Sequence, residues 1–146
     1  MKHLVKTSLF ATLLLTLSHM AWADVAITEA WARASTPGQK VGVAYMTLQS
    51  AQPLKLVYVE SSSHADEVEI HSMTMNNGIM KMRKLDALEL QPNKPEKLAP
   101  GGFHLMLFGL KKPLKAGETV TLKLCFKDKA DHITHQSVTL PIKETN

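Results

Sequence analysis

The sequence predicts an all-β domain, an antiparallel sandwich of about eight or nine strands. Three observations predict it. From Val25 to Ile142 the apolar runs are short and rich in Val, Ile, Leu, Thr and Tyr. Turn signals such as Thr36-Pro37-Gly38-Gln39, Asn76-Asn77-Gly78 and Ala99-Pro100-Gly101-Gly102 separate the runs. Little of this stretch carries the spacing of a long amphipathic helix. A small closed barrel would produce the same string of elements, and the sequence does not separate the two.

The elements follow in order. Val25 to Ser35 mixes apolar and polar residues around Trp31 and ends at the turn containing Pro37-Gly38. Val41 to Gln49 sets Val43, Tyr45 and Thr47 on one face and Ala44, Met46 and Leu48 on the other. Leu54 to Glu60 is a third strand, closed by the polar loop Ser61-Ser62-Ser63-His64. Glu67 to Met75 and Ile79 to Leu85 form a hairpin. Leu88 to Gln91 is a brief strand before the loop Pro92-Asn93-Lys94-Pro95. Phe103 to Leu110 is strongly apolar, and Lys111 to Gly117 is a basic loop. Thr119 to Lys127 and His135 to Ile142 read as a closing antiparallel pair. The tail Lys143 to Asn146 reads as frayed.

With 146 residues the chain suits one domain and one core. Residues 1–23 read as a secretory signal peptide. Lys2 and Lys6 supply the positive start, Leu9 to Leu17 an apolar centre too short to span a membrane, and Ala21-Trp22-Ala23 the small-x-small cleavage pattern. The domain is therefore expected to occupy residues 24–146. Removing Lys2 and Lys6 from the 17 basic residues leaves 15 against 13 acidic ones, a net charge of +2. So mild a charge gives no reason to expect nucleic acid as a partner. No later run is long enough for stable membrane insertion. Export implies an oxidising compartment, but Cys125 is the one cysteine, so no internal disulfide is available and the core must hold the fold. Cys125 falls on the strand face of Thr121 and Lys123, and reads as a half-covered structural thiol. A lone thiol without a resolving partner argues against thiol redox chemistry, and the protein is not expected to be an enzyme.

Five of the eight methionines and two of the seven histidines fall between residues 71 and 106. Asn77-Gly78 predicts a two-residue type I′ hairpin turn. That turn sets Met75 against Met80, Met73 against Met82 and His71 against Lys84. Pleating then places His71, Met73, Met75, Met80 and Met82 on one face, and a slip of one residue would break the set. His104 and Met106 share the strand face opposite Phe103, Leu105 and Leu107. Thioether with imidazole is a soft, neutral donor set suited to Cu(I). Zinc sites use thiolate, imidazole and carboxylate, and calcium or magnesium sites use oxygen. The spacing therefore points to a Cu(I) site of two imidazoles and two or three thioethers. The competing reading is a metal-free, Met-rich surface that grips a partner.

At these residues the chain resembles the periplasmic copper chaperones of the PCu(A)C type. Their signature is a histidine, ten residues, a methionine, twenty-one residues and His-x-Met, which His71, Met82, His104 and Met106 reproduce. The runs Ala30-Trp31-Ala32-Arg33 and Pro100 to Met106 extend the similarity. The resemblance implies a cupredoxin-like, immunoglobulin-like sandwich that binds Cu(I) through those four residues. It also implies a periplasmic carrier that supplies the binuclear copper centre of cytochrome c oxidase, with that oxidase's copper-bearing subunit and Sco-type thiol proteins as partners. The protein is expected to act as a monomer, with copper storage or resistance as the alternative role. Some relatives carry a longer His/Met-rich tail with a Cu(II) site. The residues after Ile142 lack that composition, and His132, His135 and His64 read as solvated loop residues, with a weak Cu(II) site as the alternative reading of His132 and His135.

Overall fold

The computed structural model describes residues 24–145, so the expected signal peptide lies outside the described residues. Those residues form ten strands and no helix: β1 (Ala26–Arg33), β2 (Val41–Gln49), β3 (Leu54–Glu60), β4 (Glu67–Asn76), β5 (Ile79–Leu85), β6 (Leu88–Leu90), β7 (Glu96–Leu98), β8 (His104–Phe108), β9 (Thr119–Lys127) and β10 (Ile133–Lys143). The strands run in the order β5-β4-β8-β2-β1-β10-β9-β3-β6, with β7 also on β2. A further pairing of β3 with β4, through Val59 and Val68, brings the two halves of this path together. The result is a β-sandwich closed along one side.

Three details differ from the expectation. There are ten strands because Glu96–Leu98 adds to β2 beside β8, with Met46 opposite Leu98. Those residues sit between Pro95 and Pro100, and their local pattern carries no strand signal. The sheet is mixed, because β1 and β10 run parallel where Ala32 meets Ile142. The last strand begins at Ile133, two residues before the expected start.

The core lies between the halves and is mostly leucine. Leu56, Leu105, Leu107, Leu122, Leu124 and Leu140 are fully buried, with Phe126 and Met46 among them. Each alternates with an outward residue, as the pleat requires. On β8 this alternation buries Leu105 and Leu107 and turns His104 and Met106 to the opposite face.

Asn77 and Gly78 have φ of 51° and 76°, the positive values a type I′ turn demands. No atom lies within 4 Å of where a Gly78 side chain would begin, so substitution meets backbone strain and no clash. Gly78→Ala is expected to destabilise the protein by about 1–2 kcal/mol, read as a lower urea midpoint at unchanged slope.

Candidate metal centre

The β4–β5 hairpin has the expected register. Met75 pairs with Met80, Met73 with Met82 and His71 with Lys84. On its other edge β4 meets β8, placing His71 directly opposite His104 and Glu69 opposite Met106. Directly paired residues share a face. His71 and His104 therefore come from strands far apart in sequence to one patch, and their ring centroids are 5.7 Å apart. Val43 of β2 lies opposite Met106 and continues the patch.

A pocket of about 400 Å³ opens beside the His104 ring, with Met106, Met82 and Met73 also on its walls, and His71 stands next to His104 outside that lining. Met75 and Met80 share the strand face but stand at the exposed hairpin tip, away from this pocket. The structure thus brings together the four residues of the sequence motif. It sets Met73 next to them and leaves the other two methionines apart.

Both imidazoles are buried, His71 at 8% and His104 at 3% exposure. Their hydrogen bonds decide which ring nitrogen is free. His104 Nδ1 lies 3.0 Å from the Gly102 carbonyl oxygen, which can only accept, so Nδ1 carries the proton and Nε2 keeps its lone pair. His71 Nε2 lies 2.6 Å from Glu69 Oε2. Hydrogen bonds from Lys84 and then His71 hold the Glu69 carboxyl below its ordinary range. The carboxylate is thus an acceptor, His71 Nε2–H donates to it, and in the neutral imidazole His71 Nδ1 is the nitrogen with the lone pair. His71 Nδ1 and His104 Nε2 are both buried without a hydrogen-bond partner. A desolvated ring nitrogen left unmet costs about 1–3 kcal/mol, so two on adjacent rings, one of them sharing a pocket with three thioethers, favour an occupant that accepts electron pairs. The donor set fits a soft monovalent metal ion. Among the described residues no group of three or more His, Cys, Asp or Glu side chains is placed to hold a metal, so a centre here must recruit methionine sulfur.

Sequence reasoning missed Glu69. The signal was present, since a residue two positions before His71 on a strand shares its face. The carboxylate orients the imidazole, a standard arrangement around metal-binding histidines. Gly102 was also missed. Its carbonyl accepts from both His104 Nδ1 and the Met73 backbone N–H, the latter at 3.2 Å, and so ties the β8 entry to β4.

The remaining histidines and the cysteine lie elsewhere. His64 is buried rather than solvated, because the Ser61–His64 turn folds inward and Ser63 Oγ bonds its Nδ1 at 2.7 Å. Burial, chiefly, pushes its pKa down. His132 is exposed and pairs with Asp128 at 3.0 Å. His135 is exposed, and its Nδ1 lies 2.9 Å from Cys125 Sγ. Cys125 is covered more fully than expected, because β3 and β10 flank it with Tyr58 and His135. Burial raises its thiol pKa, with Lys123 acting weakly in the opposite direction. The thiol should therefore resist iodoacetamide in the native protein at neutral pH and react readily in urea, as mass spectrometry of the alkylated chain would show.

Comparison with known proteins shows the same fold elsewhere. The solved structures it resembles include a copper-bound PCuAC domain from PmoF2, with a TM-score of 0.65 and 24% identity over 83% of this chain and 93% of that one. They also include the Cu(I) form of DR1885 from Deinococcus radiodurans, with a TM-score of 0.57 and 33% identity over 84% of this chain and 81% of that one. A curated relative, "Putative lipoprotein Lxx21020" of Leifsonia xyli subsp. xyli (strain CTCB07), is 28% identical over 121 residues, 82% of this chain and 70% of that protein. No helix among the described residues is long and apolar enough to cross a membrane. The family model "Putative lipoprotein LpqE-like" matches residues 25–142, and with nearly all of the sandwich inside that match the chain belongs to the LpqE-like family.

Proposed function

We propose that the protein is an exported Cu(I) carrier that binds one ion through His71, Met82, His104 and Met106. The observation that carries this reading is the pair of buried, unpartnered ring nitrogens, His71 Nδ1 and His104 Nε2, on adjacent rings, with His104 sharing a pocket wall with Met73, Met82 and Met106. Likeness to copper-bound PCuAC domains supports it. The donors are neutral, so the bound ion keeps its charge and its ligands can be exchanged. Met82 is 46% exposed, which lets a recipient's ligand reach the ion. These are properties of a carrier, and they give an enzyme no obvious reacting group.

The protein would work in the periplasm or elsewhere in the cell envelope. The family description and the relative's name support export. Cys125 lies mid-strand in β9, buried on the outer face between Tyr58 and His135, which does not suit it to carry a lipid. The proposed recipient is the copper-bearing subunit of cytochrome c oxidase, with Sco-type thiol proteins acting alongside.

The test is X-ray absorption on the Cu(I)-loaded protein, with two nitrogen and two sulfur neighbours expected. An oxygen-dominated shell, or no stoichiometric uptake in a Cu(I) competition titration, would refute the reading. Transfer of the ion to the apo copper-bearing domain distinguishes delivery from storage.

A further inference from the structure

The pocket beside the His/Met cluster has a second wall of different chemistry. Arg33 of β1 and Lys40, just before β2, border the same cavity as Met106 and His104. The Arg33 guanidinium lies over the Tyr45 ring, 5.8 Å from its centre, and Arg33 Nη2 is 3.4 Å from Tyr45 Oη. Trp31 packs against Tyr45 in turn, with ring centroids 4.8 Å apart. The guanidinium is thus braced by the Tyr45 ring and hydroxyl, which restricts where its donors point.

Two positive charges here have no counter-charge. No Asp or Glu lines the pocket, and among the described residues neither Arg33 nor Lys40 has a carboxylate within ion-pair distance. Arg33 Nε is buried without an acceptor. The nearby Glu69 is already engaged by Lys84 and His71. A buried charged donor left unmet is costly, whereas a guanidinium and a carboxylate form paired, charge-assisted hydrogen bonds.

We propose that this pocket is a carboxylate-binding site, with Arg33 as the anchor and Lys40 as the second cation at its mouth. The carboxylate belongs either to a small organic acid or to an acidic side chain of a protein that docks over the His/Met cluster. The site stands on the pocket and its charges, and is present in the metal-free protein. If copper binds as proposed above, the carboxylate lies next to an ion held only by neutral donors. It then offsets positive charge that would otherwise accumulate there.

The experiment follows the Arg33 Nε–H and Lys40 backbone signals by NMR in the metal-free full domain. The probes are succinate, an N-acetylated tetraglutamate peptide, and succinamide as the uncharged control. Saturable shifts with succinate and peptide alike, absent with succinamide, support a site open to small carboxylates. Saturation with the peptide alone supports a docking partner's side chain. Arg33→Gln should weaken either response by about tenfold or more, and added salt should weaken it further. Should Arg33→Gln disturb the fold through Tyr45, the exposed Lys40→Gln serves instead, with a smaller loss expected. No saturable shift with either anion, or equal shifts with succinamide, would overturn the proposal. None of these readings involves copper, so failure here leaves the carrier reading standing, and failure of the copper titration leaves this one standing.

Discussion

Met82→Leu is expected to lower Cu(I) affinity by about tenfold to a hundredfold while leaving the fold nearly unchanged. The substitution conserves volume and removes only the sulfur. Met82 stands on β5, the outermost strand of the sheet path, about half exposed, so its side chain contributes little to the core. Leucine there should cost less than about 1.5 kcal/mol of stability. A competition titration against a calibrated Cu(I) chelator measures the first quantity, and urea unfolding of the metal-free protein the second. Met75→Leu and Met80→Leu serve as controls. Both methionines share the hairpin face, but they sit at its tip outside the pocket, and their loss should leave affinity unchanged. Unchanged affinity in Met82→Leu together with a clear loss in Met73→Leu would shift the thioether role to Met73, its direct cross-strand neighbour.

Leu105→Ala is expected to have the largest effect on stability, about 2–5 kcal/mol. The side chain is fully buried, and it lies between His104 and Met106 on the opposite face of β8. The fold has no disulfide to limit the loss, since Cys125 is its single thiol. Domains of this kind are stable by only about 5–15 kcal/mol, so the variant should unfold at a much lower urea concentration. Because β8 carries two of the proposed donors, binding and folding are linked there. Free Cu(I) at about a thousand times its dissociation constant should return about 4 kcal/mol, moving the midpoint upward again. A midpoint insensitive to Cu(I) would place the ion somewhere that folding does not build.

Much of the scaffold was legible because strand pleating and turn chemistry are local. The runs 41–49, 54–60, 79–85 and 119–127 are strands with the expected bounds, each set off by turn or polar residues on either side. The hairpin register could be read from Asn77-Gly78 alone, since positive φ at both positions permits one turn geometry and that turn fixes every cross-strand pair. The extra strand at residues 96–98 was hidden, because its pairing with β2 is made by the partner and by no pattern of its own. The parallel contact of β1 with β10 was hidden too, because it joins the two ends of the domain.

The sequence by itself determined which donors share a strand face: His71 with Met73, and His104 with Met106, because alternation is a property of the extended chain. It also determined the chemistry of the donor set, through the choice of thioether and imidazole. Only the tertiary structure decided that β8 lies beside β4, setting the two histidine rings 5.7 Å apart. It alone decided which nitrogen each ring keeps free, because the Gly102 carbonyl and the Glu69 carboxylate each claim the other one. It alone brought Arg33 and Lys40 to the same cavity, across β2 from the methionines. Such neighbours come from pairing between strands distant in the chain, where no local rule of spacing reaches.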